Sequence, residues 1–204
     1  EAWFTEWESR GLLENTIVII TSDHGEGLRQ REARFGGHGG FNEEGLRIPL
    51  LIRLPGGARA GERVDSLVSL VDVVPTILEL TGAEVDGRLP GTSLTGEGRL
   101  PGDWVFASAT GAGAAIRRDR KVIYEGGEPK TVFDLVQDPG ELDPMTSERS
   151  PDRFQREASS LWADAFGQLS SYFTPPDPRL MGELDEETRE DLKALGYGGE
   201  VGSK

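Results

Sequence analysis

Three side chains stand out for chemistry: Asp23, His24 and His38. A carboxylate beside an imidazole suits a hard or borderline divalent cation. Adjacent side chains diverge on an extended strand, yet at a strand-to-loop turn both can converge on one ion. The competing reading is a surface Asp and a capping His. His38 is the only other histidine, 38 − 24 = 14 residues further on, and it lies in Arg34-Phe-Gly-Gly-His-Gly-Gly40. Glycines on both sides of a histidine indicate backbone that bends tightly or approaches something closely. Both histidines thus belong to the polar loop after one apolar segment, and this clustering favours a site over a stray loop histidine. Glu26, Arg29, Arg31 and Arg34 share the loop. An arginine there can hold an anion bidentately, although solvated charge is the simpler reading for any one of them.

The elements that must carry these residues read as α/β. Ala2 to Leu13 has an amphipathic stripe of Trp3, Phe4, Trp7 and Leu12, with Gly11 near its end. Thr16-Ile-Val-Ile-Ile20 is β-branched and apolar on both faces, the pattern of a buried parallel strand. Open α/β sheets place ligands at the carboxyl ends of such strands, where Asp23 and His24 follow. Ile48 to Arg53 predicts a second strand, with Pro49 at its start, and Val64 to Ser69 a short extended piece. Leu70 to Leu80 predicts a helix with Asp72 near its start, Pro75 in its first turn and Gly82 at its end. Trp104–Ala109, Ala114–Arg118, Lys121–Tyr124 and Thr131–Leu135 predict a small antiparallel sheet. A helix follows over Asp152 to Tyr172, with Phe154, Leu161, Phe166 and Leu169 on its apolar side. A Pro-rich linker then leads to a helix over Asp185 to Leu195. The cluster Arg117, Arg118, Arg120 and Lys121 reads as a hairpin with solvated charges.

Composition narrows the function classes. With 22 Lys and Arg against 36 Asp and Glu among 204 residues, the formal charge is −14. This acidity opposes binding to a nucleic-acid backbone or an anionic membrane. No cysteine is present, so disulfides and thiolate metal sites are excluded. The apolar runs are too short to span a bilayer.

The succession of motifs resembles the sulfatase family of the alkaline phosphatase superfamily. Carrying the resemblance are Thr16-Ile-Val-Ile-Ile-Thr-Ser-Asp-His-Gly-Glu26, Gly37 to Arg53, Val68 to Gly82 with Leu89-Pro-Gly-Thr-Ser-Leu94, Val132-Phe-Asp-Leu-Val-Gln-Asp-Pro-Gly-Glu141, and Leu184 to Tyr197. It implies the C-terminal part of an alkaline-phosphatase-like mixed sheet flanked by helices, over residues 1–100. A small α+β subdomain with a short antiparallel sheet would follow over 101–173, then a linker and terminal helix over 174–204. It also implies a metal-dependent hydrolase of sulfate esters. Asp23 matches the family's metal-binding aspartate. His24 matches a neighbouring position, Asn or His in different members, that binds the metal or the transferred group. His38 sits where many sulfatases carry a sulfate-contacting lysine and is the expected catalytic residue. In two-metal phosphatases and phosphodiesterases, a histidine in a comparable loop binds a second metal, which keeps that activity as the alternative. The implied ion is Ca2+ for a sulfatase, and Zn2+ or Mn2+ for a phosphatase or phosphodiesterase. The implied substrate is a small-molecule or glycan anionic ester, handled in the periplasm or outside the cell. The family's nucleophile and first metal-binding aspartates lie in an N-terminal half with no counterpart here. The chain therefore reads as a C-terminal fragment inactive alone, or as a non-catalytic partner-binding module.

Overall fold

A computed structural model describes residues 2–27, 40–84, 89–96, 104–109, 111–145 and 153–172, with the side chains of the last segment described to 165. The first helix, α1 (Ala2–Ser9), ends earlier than its apolar stripe suggests. Gly11 takes a left-handed conformation with φ 67°, its N–H donating to the Glu8 carbonyl at 2.9 Å. A 3-10 turn over Leu12–Asn15 then leads into β1 (Val18–Thr21). Arg53, at the end of β2 (Leu50–Arg53), donates from Nη1 to the Leu13 carbonyl at 2.8 Å, so the Val18–Arg53 end of the strand pair is tied to this turn.

β1 pairs with β2 antiparallel, Val18 opposite Arg53 and Thr21 opposite Leu50. This differs from the buried parallel strand expected from Thr16 to Ile20. A β-branched run reports apolar surroundings on both faces, whereas direction is set by the connection, which here returns the chain alongside itself. The burial also differs: Ile20 is 45% and Leu51 57% exposed. Residues 64–69, expected to be extended, contain a bend at Ser66 and pair with no strand among the described residues.

A short helix, α2 (Glu43–Leu46), precedes β2, and the helix expected over Leu70 to Leu80 is present as α3 (Val73–Thr81), entered through a 3-10 turn over Leu70–Asp72. Ser69 and Asp72 form a capping box, with the Ser69 N–H donating to Asp72 Oδ2 at 2.8 Å. Asp72 is fully buried, and its Oδ1 accepts the Thr92 N–H at 2.9 Å. Thr76 Oγ1 accepts the Leu94 N–H at 2.9 Å. At Gly91 a Cβ would overlap the Val71 carbonyl. The Leu89–Leu94 segment is thereby seated on the start of α3. Gly82, at φ 71°, closes the helix as its sequence position predicts.

The expected antiparallel sheet is a four-stranded meander of β3 (Val105–Ala109), β4 (Ala112–Arg117), β5 (Arg120–Glu125) and β6 (Glu128–Asp134). It packs against α4 (Arg153–Tyr172). Ala115, Val122, Tyr124 and Val132 from the sheet meet Phe154, Ala158 and Trp162 from the helix. Those helix positions are four apart, one face of an α-helix. Leu161, expected on that face, is exposed, one position out of phase. The side chains of Phe166 and Leu169 lie outside the described residues, as do the linker and the helix expected after Thr174.

The basic cluster does form a hairpin, the β4–β5 turn with Arg118 exposed, but its other charges are not simply solvated. Arg117 lies over the rings of Phe154 at 4.7 Å and Trp104 at 5.4 Å, and donates to both Asp119 oxygens at 2.6 and 2.9 Å. Lys121 is fully buried. The hydrogen bonds from Arg117, then its charge, hold the Asp119 carboxyl below the ordinary carboxylate range against the opposing effect of desolvation. A carboxyl with a depressed folded pKa stabilises the fold above its unfolded value of about 3.9 and loses that contribution as pH falls through the folded value. Asp119→Asn is therefore expected to flatten the loss of stability below about pH 4, read by urea denaturation across a pH series.

Candidate metal centre

β1 delivers the chain to Ser22, and the backbone then turns so that Asp23 and His24 face the same region. Asp23 Oδ1 accepts the His24 backbone N–H at 3.0 Å, which folds the carboxylate back toward the imidazole. His24 Nδ1 lies 2.7 Å from the Gly25 carbonyl oxygen. A carbonyl only accepts, so in the neutral imidazole the proton sits on Nδ1 and Nε2 carries the lone pair. That Nε2 is 3.8 Å from Asp23 Oδ2. Ligand distances of about 2.0–2.6 Å let two donors this far apart share one cation. A carbonyl fixing the far nitrogen is also the usual way an imidazole ligand is oriented. The Asp23 side chain is 74% and that of His24 32% exposed, so an ion can reach both.

The loop is held from behind by backbone. The Gly25 N–H donates to the Gly45 carbonyl at 2.8 Å, and a Cβ on Gly25 would overlap the Glu44 carbonyl oxygen. Gly45, in α2 (Glu43–Leu46), is equally tight against the Gly40 carbonyl. Glycine is required at both positions by close approach, not by conformation.

Asp23 and His24 are therefore brought together as the sequence suggests. His38, together with Arg29, Arg31 and Arg34, lies outside the described residues. Among the described residues no group of three or more His, Cys, Asp and Glu side chains could hold a metal. Two donors of suitable type and spacing are present, fewer than the four or more ligands a divalent ion takes.

A second polar cluster was not legible in the sequence. Lys121 Nζ lies 2.6 Å from Glu141 Oε1 and 2.7 Å from Glu43 Oε1. Glu141 Oε2 accepts from Asn42 Nδ2 and from the Glu43 N–H, both at 2.9 Å. Lys121 and Glu141 are fully buried. Glu141 has φ 52° in a turn organised by Asp138, whose carboxylate accepts from Leu142 and Asp143. The one available signal was a non-glycine residue directly after Asp-Pro-Gly. Of its partners, Lys121 is 141 − 121 = 20 residues away and Glu43 and Asn42 are 98 and 99 away, so spacing carries no hint of them.

Residues 4–83 match the Sulfatase family. The N-acetylglucosamine-6-O-sulfatase of Bacteroides thetaiotaomicron is 31% identical over 177 residues, covering 76% of this chain and 30% of the relative. A solved structure of a protein in complex with its substrate D-glucosamine-2-N,6-O-disulfate superposes with a TM-score of 0.68 and 26% identity, over 83% of this chain and 38% of that one. The phosphonate monoester hydrolase of Agrobacterium radiobacter shares the fold with a TM-score of 0.67 at 23% identity, over 82% of this chain and 38% of that one. The chain thus spans about a third of the length of the relatives it matches. Its α/β architecture is that of the alkaline phosphatase superfamily, and the chain belongs to the sulfatase family.

Proposed function

We propose that the full-length protein is a divalent-metal-dependent sulfuric ester hydrolase to which this chain contributes two metal ligands, Asp23 and His24. The observation that carries the reading is the 3.8 Å approach of Asp23 Oδ2 and His24 Nε2 within the segment that matches the Sulfatase family. A sulfated sugar is the proposed substrate class, because a relative is a sugar 6-O-sulfatase and a neighbour of similar fold holds a sulfated glucosamine. When bound, a divalent ion, Ca2+ for sulfate chemistry, would polarise the ester oxygens and offset the chain's net charge of −14, which otherwise repels an anionic ester. Asp23 supplies anionic oxygen to that ion. His24 supplies neutral nitrogen, its ring held by the Gly25 carbonyl. His38 is the proposed catalytic residue of this chain, donating to the oxygens where negative charge develops.

The remaining two-thirds of the relatives' length has no counterpart here. We assign to such an N-terminal part the nucleophile and the other metal ligands. In this division residues 1–100 complete the catalytic domain, 101–173 form the C-terminal subdomain, and 174–204 form a linker and terminal helix. The uncovered Ile20 and Leu51 support the division, since apolar strand residues of a catalytic sheet are ordinarily covered. An address in the periplasm or outside the cell belongs to the same proposal through the family resemblance alone.

The test is turnover of a sulfate and a phosphate ester of the same sugar by the full-length protein. Sulfate turnover abolished by a chelator and restored by Ca2+ is expected. Turnover unaffected by chelation would contradict the reading. A two-metal phosphodiesterase or phosphatase using Zn2+ or Mn2+ is the second reading, favoured by a histidine at position 38. It requires two ions per chain, one of them lost in His38→Ala, and faster phosphate turnover. Absence of turnover on either ester would favour a partner-binding module.

A further inference from the structure

We infer that buried Glu141, its charge balanced by Lys121, positions the Asp23–His24 loop through α2. The inference rests on the proposed role of that loop in holding a metal ion. The contacts are continuous. Glu141 Oε2 holds Asn42 Nδ2 and the Glu43 N–H at 2.9 Å, fixing the start of α2. Lys121 Nζ, 2.6 Å from Glu141 Oε1 and 2.7 Å from Glu43 Oε1, balances the charge of the two carboxylates. Two residues beyond Glu43, the Gly45 carbonyl accepts the Gly25 N–H at 2.8 Å. A Cβ on Gly25 would overlap the Glu44 carbonyl oxygen, so α2 and the loop meet backbone to backbone and a shift of α2 is passed to Gly25. The Gly25 carbonyl in turn holds His24 Nδ1 at 2.7 Å.

A buried ion pair is poor evidence of a stabilising role, because an apolar pair of similar volume often serves as well. What an apolar pair cannot supply is an acceptor for Asn42 and the Glu43 N–H. The acceptor that Glu141 supplies to a segment distant in sequence is what fixes α2, and Lys121 balances its buried charge. Lys121 and Glu141 touch no substrate in this scheme, and their effect reaches the site only through Gly45 and Gly25.

The test compares two double variants of the full-length protein. Lys121→Met with Glu141→Gln keeps a carbonyl acceptor for Asn42 and Glu43, whereas Lys121→Met with Glu141→Leu removes it. Both leave Glu43, which is partly exposed, to solvent. Hydrogen exchange of the peptide holding residues 22–27 reports the Gly25–Gly45 bond without any metal. Calorimetric titration with Ca2+ reports the site. We expect exchange at least tenfold faster and Ca2+ affinity at least tenfold weaker in the Leu variant, with both within threefold of wild type in the Gln variant. Equal behaviour of the two variants, whether both near wild type or both impaired, would overturn the inference. Should a variant fail to fold, Asn42→Ala removes one donor to Glu141 and is expected to speed the same exchange about threefold, with no change counting against the inference. If wild type binds no Ca2+ while the exchange contrast persists, the metal reading fails and the positioning role stands.

Discussion

Asp23→Ala in the full-length protein is expected to lower sulfate-ester turnover on the order of 10³-fold, about 4 kcal/mol of transition-state stabilisation. The substitution removes an anionic donor from a site where the described chain offers two, leaving His24 Nε2 without the oxygen 3.8 Å away. A cation held by fewer ligands is both weaker bound and less well aimed. The fold should be untouched. The Asp23 side chain is 74% exposed, and the His24 N–H it accepts can turn to water, so a stability change within about 0.5 kcal/mol is expected. Function and stability thus separate in this variant. Asp23→Asn, which keeps an oxygen without its charge, should fall between the two. Undiminished turnover in Asp23→Ala would remove the aspartate from the site, and a large fall in unfolding midpoint would make it a structural residue.

The second large effect concerns the C-terminal subdomain. Trp162→Ala is expected to destabilise its sheet–helix packing by about 3–5 kcal/mol, as deletion of large buried aromatic side chains does. Trp162 stacks on Tyr124 at 4.9 Å with the rings 4° from parallel, and it meets Phe106 at 6.2 Å. The indole also fills the space where Gly113 has no side chain, and a Cβ there would overlap it. The cavity left by alanine is therefore walled by rigid sheet and cannot collapse cheaply. Leu161→Ala, one residue earlier and exposed, should change stability by less than about 1 kcal/mol. Guanidinium denaturation of the two variants checks both values, and equal losses would mean that the helix face has been misassigned.

That contrast also shows how far the sequence could be read. The meander was legible because its strands alternate with turns rich in charge and glycine. α3 was legible because Asp72, Pro75 and Gly82 mark its ends by local chemistry. The phase of α4 was less so: Leu161 and Trp162 are both apolar, and which one faces the sheet depends on the space above Gly113, a tertiary fact. The direction and burial of β1 were misjudged because an apolar run names neither its partner nor the elements that cover it. At the site, Asp23 and His24 were legible as neighbours beyond a strand. The Lys121–Glu141–Asn42 cluster was not, since a lysine beside arginines has the same local signature whether solvated or buried. Its burial is decided by two carboxylates about twenty and eighty residues away.

The claim on which the rest depends is that Asp23 and His24 hold a divalent ion together. Calorimetric titration of the metal-stripped full-length protein with Ca2+, beside Asp23→Ala and His24→Ala, measures this without reference to any substrate. Shared ligation predicts saturable binding in wild type and at least a tenfold loss of affinity in each variant, with little further loss when the two are combined. Binding of equal strength in all the proteins, or losses confined to one residue, would contradict it.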